Sequence, residues 1–149
     1  ISPDNLLVDN ERHLVVPVVA SLPVVFIDQY DDEEEDAVTG RLGETRHLRT
    51  LLAPKSGRDE MQRQLIKVKH IKLNDLDQSD LEDARLVIIA GVSAPESEET
   101  IKLLRDYVSQ GGQLVIGAGG EFDPAGWNDI AWQDGAGVLP VPLEPKAAG

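Results

Sequence analysis

Residues 84–120, ARLVIIAGVSAPESEETIKLLRDYVSQGGQLVIGAGG, read as strand, loop, helix, glycine pair, strand. The run from Leu86 to Ala90 is apolar at every position. Alternation would mean one wet face, whereas a continuous run means burial on both faces, as in a parallel sheet covered by helices. A helix is predicted over residues 96–110. Ile101, Leu104 and Val108 recur at helical spacing, with Leu103 and Tyr107 widening the stripe, so Leu104 and Val108 are both expected to face a sheet. Ser93, Pro95 and Ser97 mark its start, and Glu96, Glu98 and Glu99 suit the positive end of the helix dipole. Gly111 and Gly112 end it, since glycine accepts the left-handed conformation of a C-cap. Residues 114–116 are apolar again. Two apolar strands joined by one amphipathic helix form a right-handed βαβ unit.

Working outward, strands are predicted at 24–28, 65–71, 85–90 and 113–117. Residues 45–52 form a short helix candidate, stopped by Pro54, and residues 58–64 continue it or form a loop. In LIKVKHI, residues 65–71, Lys67 and Lys69 fall on one side, which suits an edge strand because lysines discourage pairing with another chain. His70 is read as a strand residue with one polar partner rather than as a ligand. Residues 76–81 read as a connection. Residues 124–132 suit a short helix, with Trp127 and Trp132 covering the sheet or helix surface, and Pro140 and Pro142 leave residues 138–143 extended but not central. Alternating strands and helices indicate a doubly wound α/β fold. With the second strand at the edge, the order is 2-1-3-4, as in flavodoxin-like domains. Residues 6–8 and 13–19 read as a hairpin or as the tail of a preceding β domain over 1–22, and the α/β domain spans 23–149.

The 149-residue chain carries a formal net charge of −13 and no cysteine. The acidity excludes nucleic acid as an expected partner and disfavours anionic membrane surfaces. The lack of cysteine removes disulfides and thiolate catalysis. The longest apolar stretch, residues 14–27, is broken by Pro17, Ser21 and Pro23 and is too short to span a bilayer. Because the sequence starts at Ile1, it is expected to be a piece of a longer protein. Residues 31–36 are six consecutive acids, expected to form a mobile, solvated loop. They lack the alternate acids and sixth-position glycine of an EF-hand, so no tight metal site is expected there.

In a 2-1-3-4 sheet, ligands bind outside the carboxyl ends of the first and third strands. The candidate crevice is Asp28, Gly91, Val92 and Ser93, with Gly119 and Gly120 after the fourth strand. Ser93 lies between strand and helix, the setting of a nucleophile elbow, but Pro95 replaces the last glycine of G-x-S-x-G. His13, His47 and His70 all precede Ser93, whereas a hydrolase of that class has its histidine after the nucleophile. Ser93 is therefore read as a helix-start hydroxyl capping backbone N–H groups. The run from Gly117 to Gly120 lacks a phosphate-loop lysine and reads as a turn needing positive φ.

The strand, the acidic helix start and LRDYVSQGGQLV over residues 104–115 resemble the class I glutamine amidotransferase-like superfamily. Asp123-Pro124, Trp127-Asn128 and Gly137-Val138-Leu139-Pro140 are similar to the corresponding domain of large bacterial aerotolerance-type membrane proteins that carry von Willebrand A domains. The resemblance covers about residues 23–143. It implies a flavodoxin-like fold, a membrane-anchored parent in the bacterial envelope, on either side of the membrane, and a β-sandwich upstream. It also implies a cysteine nucleophile on the elbow after the third strand. That place holds Gly91, Val92 and Ser93, and no histidine follows a later strand. The expectation is a non-catalytic interaction or scaffolding module without cofactor. It would bind a protein partner or form a homo-oligomer, with no direct membrane contact of its own. The alternatives are a small-molecule or cation sensor in the crevice and a Ser93-dependent hydrolase.

Overall fold

A computed structural model describes residues 20–54 and 65–144. The expected hairpin, His13 and residues 58–64 lie outside the described residues. Four strands form one parallel sheet: β1 (Leu22–Asp28), β2 (Ile66–Lys72), β3 (Leu86–Ala90) and β4 (Gln113–Gly117), in the spatial order β2-β1-β3-β4. This is the order read from the apolar patterns. Phe26 pairs with His70 and with Ile88, and Ile88 with Val115, which fixes the register across all four strands. β1 is central, and its residues from Val24 to Asp28 are all buried. β2 and β4 are the edges, with exposed positions alternating along them.

One face of the sheet carries Val25, Ile27, Val87 and Ile89. Against it pack Leu76, Leu81, Ile101, Leu104, Tyr107, Trp127 and Ala131. The helices supplying them are α2 (Gln78–Glu82), α3 (Glu98–Ser109) and α4 (Pro124–Trp127). α2 lies in the stretch expected to be a plain connection, and a 3₁₀ turn at Leu73–Asp75 precedes it. A five-residue helix is too short for a periodic signature; what holds it is a capping box, Asp77 and Asp80 each accepting the other's backbone N–H at 3.1 Å. Asp80 is buried and ion-paired with Lys69. The edge-strand lysine therefore anchors α2 as well as guarding the edge.

α3 corrects two expectations. Its cap is Ser97, whose hydroxyl accepts from Glu99 and Thr100, while Ser93 is an exposed loop residue four positions earlier. Its buried stripe is Thr100, Ile101, Leu104 and Tyr107; Val108 is 41% exposed. Positions 101, 104 and 108 share a face, but the stripe turns toward Tyr107. The Tyr107 ring lies against the backbone of Gly112, where a Cβ would collide with it. Gly111, at φ +94°, makes the turn into β4.

α4 begins on Asp123, which caps Ala125, and runs into a π turn at Asn128–Trp132. Trp127 is fully buried, stacks on Phe122 at 5.6 Å and donates from Nε1 to the Val92 carbonyl. It is core rather than cover. Residues 138–143 form no strand; Leu139 is buried there, and both amide groups of Asn128 bond the backbone of Leu143. Among the described residues no helix is long and apolar enough to cross a membrane.

Candidate functional site

The opposite face of the sheet carries Phe26 and Asp28 at the carboxyl end of β1, with His70 and Lys72 beside them on β2. Over them lie the acidic run and α1 (Arg46–Leu52). Asp28 is the last residue of β1 and is 1% exposed. A buried carboxylate needs donors on both oxygens. Oδ1 accepts from the backbone of Gln29 and Glu44, and Oδ2 from the backbone and hydroxyl of Thr45 at 2.8 and 2.6 Å. Asp28 thus ties down the free N–H groups that lead into α1 from a residue sixteen positions upstream, and Thr45 needs no side-chain cap of its own. Gly43 makes this approach possible, since a Cβ there would strike Asp28 and Glu35.

The acidic run forms a hydrogen-bonded turn that stays partly in solvent, with the Asp32 side chain 72% exposed. Asp31 accepts from the amides of Glu33 and Glu34, each at 2.9 Å, and Asp36 accepts from Val38 and bridges to Arg41. Basic groups hold it from outside. Lys72 pairs with Glu34 at 3.1 Å and Asp31 at 3.5 Å, and Arg49 pairs with Glu35 and, at 3.4 Å, with Asp32. The repulsion that argued for solvation is offset by cations from β2 and α1. The Glu34 amide donating to Asp31, and the Val38 amide donating to Asp36, hold both carboxyls below the usual range. The hydrogen bond to Glu34 pushes the Lys72 ammonium up.

His70 lies under this turn with its side chain 2% exposed. Its Nδ1 is 2.6 Å from Asp32 Oδ1, the single polar partner expected for it. Its Nε2 faces Asp28 Oδ2 at 4.0 Å and has no hydrogen-bond partner among the described residues. Asp32, Glu35, Arg46, Arg49 and His70 line a groove of about 950 Å³ between α1, the acidic turn and β2, floored in part by Val68.

The residues expected in the crevice divide differently. Asp28 and Gly91 adjoin, with φ +70° at Gly91, and a Cβ there would run into the side chain of Gln29. A Cβ at Gly119 or Gly120 would strike the carboxylate of Glu44, and the turn does need positive φ at Gly120, +52°. The space between the ends of β1 and β3 is thus occupied by Gln29 and Glu44, and the open groove is displaced toward β2. Val92 is buried and gives its carbonyl to Trp127. Ser93 is exposed and accepts the Asp123 amide with its carbonyl. Sequence reasoning did not assign Glu35, Arg49, Thr45 or His70 to a site. The only signal was the acidic run itself, and its partners come from a strand and a helix outside it.

Comparison of the chain with protein-family models, with curated proteins and with solved structures gives no match.

Proposed function

We propose that this domain is a non-catalytic, amidotransferase-like binding module of a larger bacterial envelope protein, acting through protein–protein contact. The observation that carries this reading is Gly91. It is the left-handed residue at the end of β3, where an elbow would present its nucleophile. Gln29 occupies the space that a side chain there would need. Among the described residues the next hydroxyl, Ser93, has no base: His47 is exposed on α1, and His70 bonds Asp32 and faces Asp28. A serine without a base is a poor nucleophile near neutral pH. α1 offers a contact surface, since it has no buried residue and exposes Leu48 and, at 75%, Leu51.

The test is a panel of ester, amide, phosphoester and glutamine substrates, with sedimentation of the same preparation for self-association. No turnover is expected. Turnover in the wild type that disappears in Ser93→Ala would sink the reading and put the serine hydrolase first. The second reading, a sensor, is favoured by the polar groove beside His70. Reproducible thermal stabilisation by one class of small molecule would move it ahead of the scaffold.

A further inference from the structure

We propose that His70, Glu35 and Asp28 form a site for one divalent first-row transition-metal ion of the Zn²⁺ class. One ligand atom from each residue lies within 4.8 Å of the other two. Acids alone would not carry this, because acidic clusters are ordinary on a surface. The imidazole carries it. Its side chain is 98% shielded, and Nε2 is buried without a partner among the described residues. A buried polar atom left unpaired is costly, so this orientation calls for something between Nε2 and the carboxylates.

The separation indicates what fits. At 4.0 Å, Nε2 and Asp28 Oδ2 are too far apart for an N–H···O bond. Two ligand atoms on bonds of about 2.1 Å lie about 3.4 Å apart at the tetrahedral angle, so binding an ion would draw Nε2 and Oδ2 together by roughly half an ångström. The other ring nitrogen completes the pattern. With Nδ1 2.6 Å from Asp32, a neutral ring that donates Nδ1–H to that carboxylate presents its Nε2 lone pair inward. Metal-binding histidines are held in this way, and the carboxylate raises their basicity.

Charge and available lone pairs agree. Asp32 and Glu35 pair with Arg49 and Asp28 faces His70, so three carboxylates meet the two guanidiniums of Arg46 and Arg49 around the groove. Glu35 uses Oε1 for Gly43 and Arg49, and its Oε2 accepts no hydrogen bond from a described residue. Asp28 Oδ2 already takes two donors from Thr45, so the ion would displace the hydroxyl and leave the backbone bond. One imidazole with two carboxylates favours Zn²⁺, Co²⁺ or Mn²⁺ over Mg²⁺ and Ca²⁺, which prefer all-oxygen shells. Three protein ligands leave a fourth position open, as in zinc sites that bind an exchangeable ligand. The groove lies on that side. The site deepens the sensor reading by naming the cation, and a scaffold could hold the same ion structurally.

The test uses the full 149-residue chain, treated with chelator and titrated calorimetrically with Zn²⁺, Mg²⁺ and Ca²⁺. Co²⁺ is added in parallel for its visible ligand-field spectrum. One Zn²⁺ per chain is expected, with a Kd of about 1 µM or tighter, and weaker Mg²⁺ and Ca²⁺. His70→Gln should weaken Zn²⁺ by at least about tenfold and remove the Co²⁺ spectrum. Asp32→Asn changes a side chain that is 72% exposed and keeps an amide oxygen to accept from Nδ1, and it should cost about tenfold through the histidine, with the thermal midpoint of the metal-free variant measured alongside. Three outcomes overturn the site: no uptake at about 100 µM Zn²⁺, equal uptake by the wild type and His70→Gln, or Ca²⁺ bound as tightly as Zn²⁺. Equal uptake would identify the acidic run as an adventitious cation collector. A thermal-shift screen of organic ligands on the chelated protein is scored separately, so loss of the ion site and loss of the sensor reading are distinguishable.

Discussion

Ser93 and Ser97 show how a single residue's role depends on backbone geometry. Both precede the same helix, and either hydroxyl suits a cap by type. The cap falls to Ser97 because its extended backbone, φ −131° and ψ 127°, immediately precedes the first helical residue. Ser97→Ala is expected to lower stability by about 1 kcal/mol. Ser93→Ala should stay within about 0.5 kcal/mol of wild type, as exposed substitutions usually do. Urea midpoints of the two variants check this, and a larger loss at Ser93 would mean that its hydroxyl has a partner. His70 repeats the lesson with more at stake. Its single polar partner was legible in the strand pattern. Its approach to Asp28 follows from the β1–β2 register, which no local feature encodes.

At the scale of the element, α3 and the acidic turn carry the informative outcomes. Leu104 is fully buried and Val108 is 41% exposed, although both lie on the apolar stripe. Leu104→Ala is expected to cost about 2–5 kcal/mol, from lost transfer free energy and the cavity left behind. Val108→Ala should cost less than about 1 kcal/mol, since little of the deleted surface was removed from water. Equal losses in chemical denaturation would show that the helix is rotated from the observed phase. The acidic turn answers to pH. Asp31 and Asp36 have depressed folded values, so their contribution is present above their unfolded values, about pH 4, and is lost as pH falls through the folded ones. Lys72 is raised, so its contribution is full below about pH 10 and is lost as pH rises through its folded value. The amide NMR signals of Glu33, Glu34 and Val38 should therefore shift together below pH 4 while those of β1 and β3 stay fixed. Unchanged signals down to pH 2 would show that the carboxylates do not hold the turn.

For the whole molecule, one sheet links elements from residue 22 to residue 117, and one apolar cluster with the half-buried residues packed on it joins all four strands to the three helices on that face. Urea unfolding of the full chain is expected as a single transition, with the fluorescence of Trp127 and Trp132 and far-ultraviolet dichroism coincident. Separated midpoints would mean that the α4 region opens before the sheet. The edges are treated differently. Lys67 and Lys69 mark β2, and Lys69 also reaches α2. Leu114 and Ile116 of β4 join the core, while Val115 is half exposed on the other face.

The order of strands was readable because burial on two faces needs continuously apolar segments, while an edge tolerates lysine; these are local constraints. The position of the open groove was not. The expected crevice lay between β1 and β3, where topology alone would put it. Gln29 and Glu44 occupy that space, and the groove opens instead over β2. The ion pairing of the acidic run was not readable because its counter-charges, Arg49 and Lys72, are 14 and 38 residues from their partners Glu35 and Glu34. Periodicity and capping signals act over a few residues along the chain, and they determined the sheet and its main helices. The encounter of Asp28, Glu35 and His70 depends on strand register and on Gly43 letting the backbone close over Asp28. Only tertiary structure decides that, because long-range charge pairing and close backbone approach leave no period in the sequence.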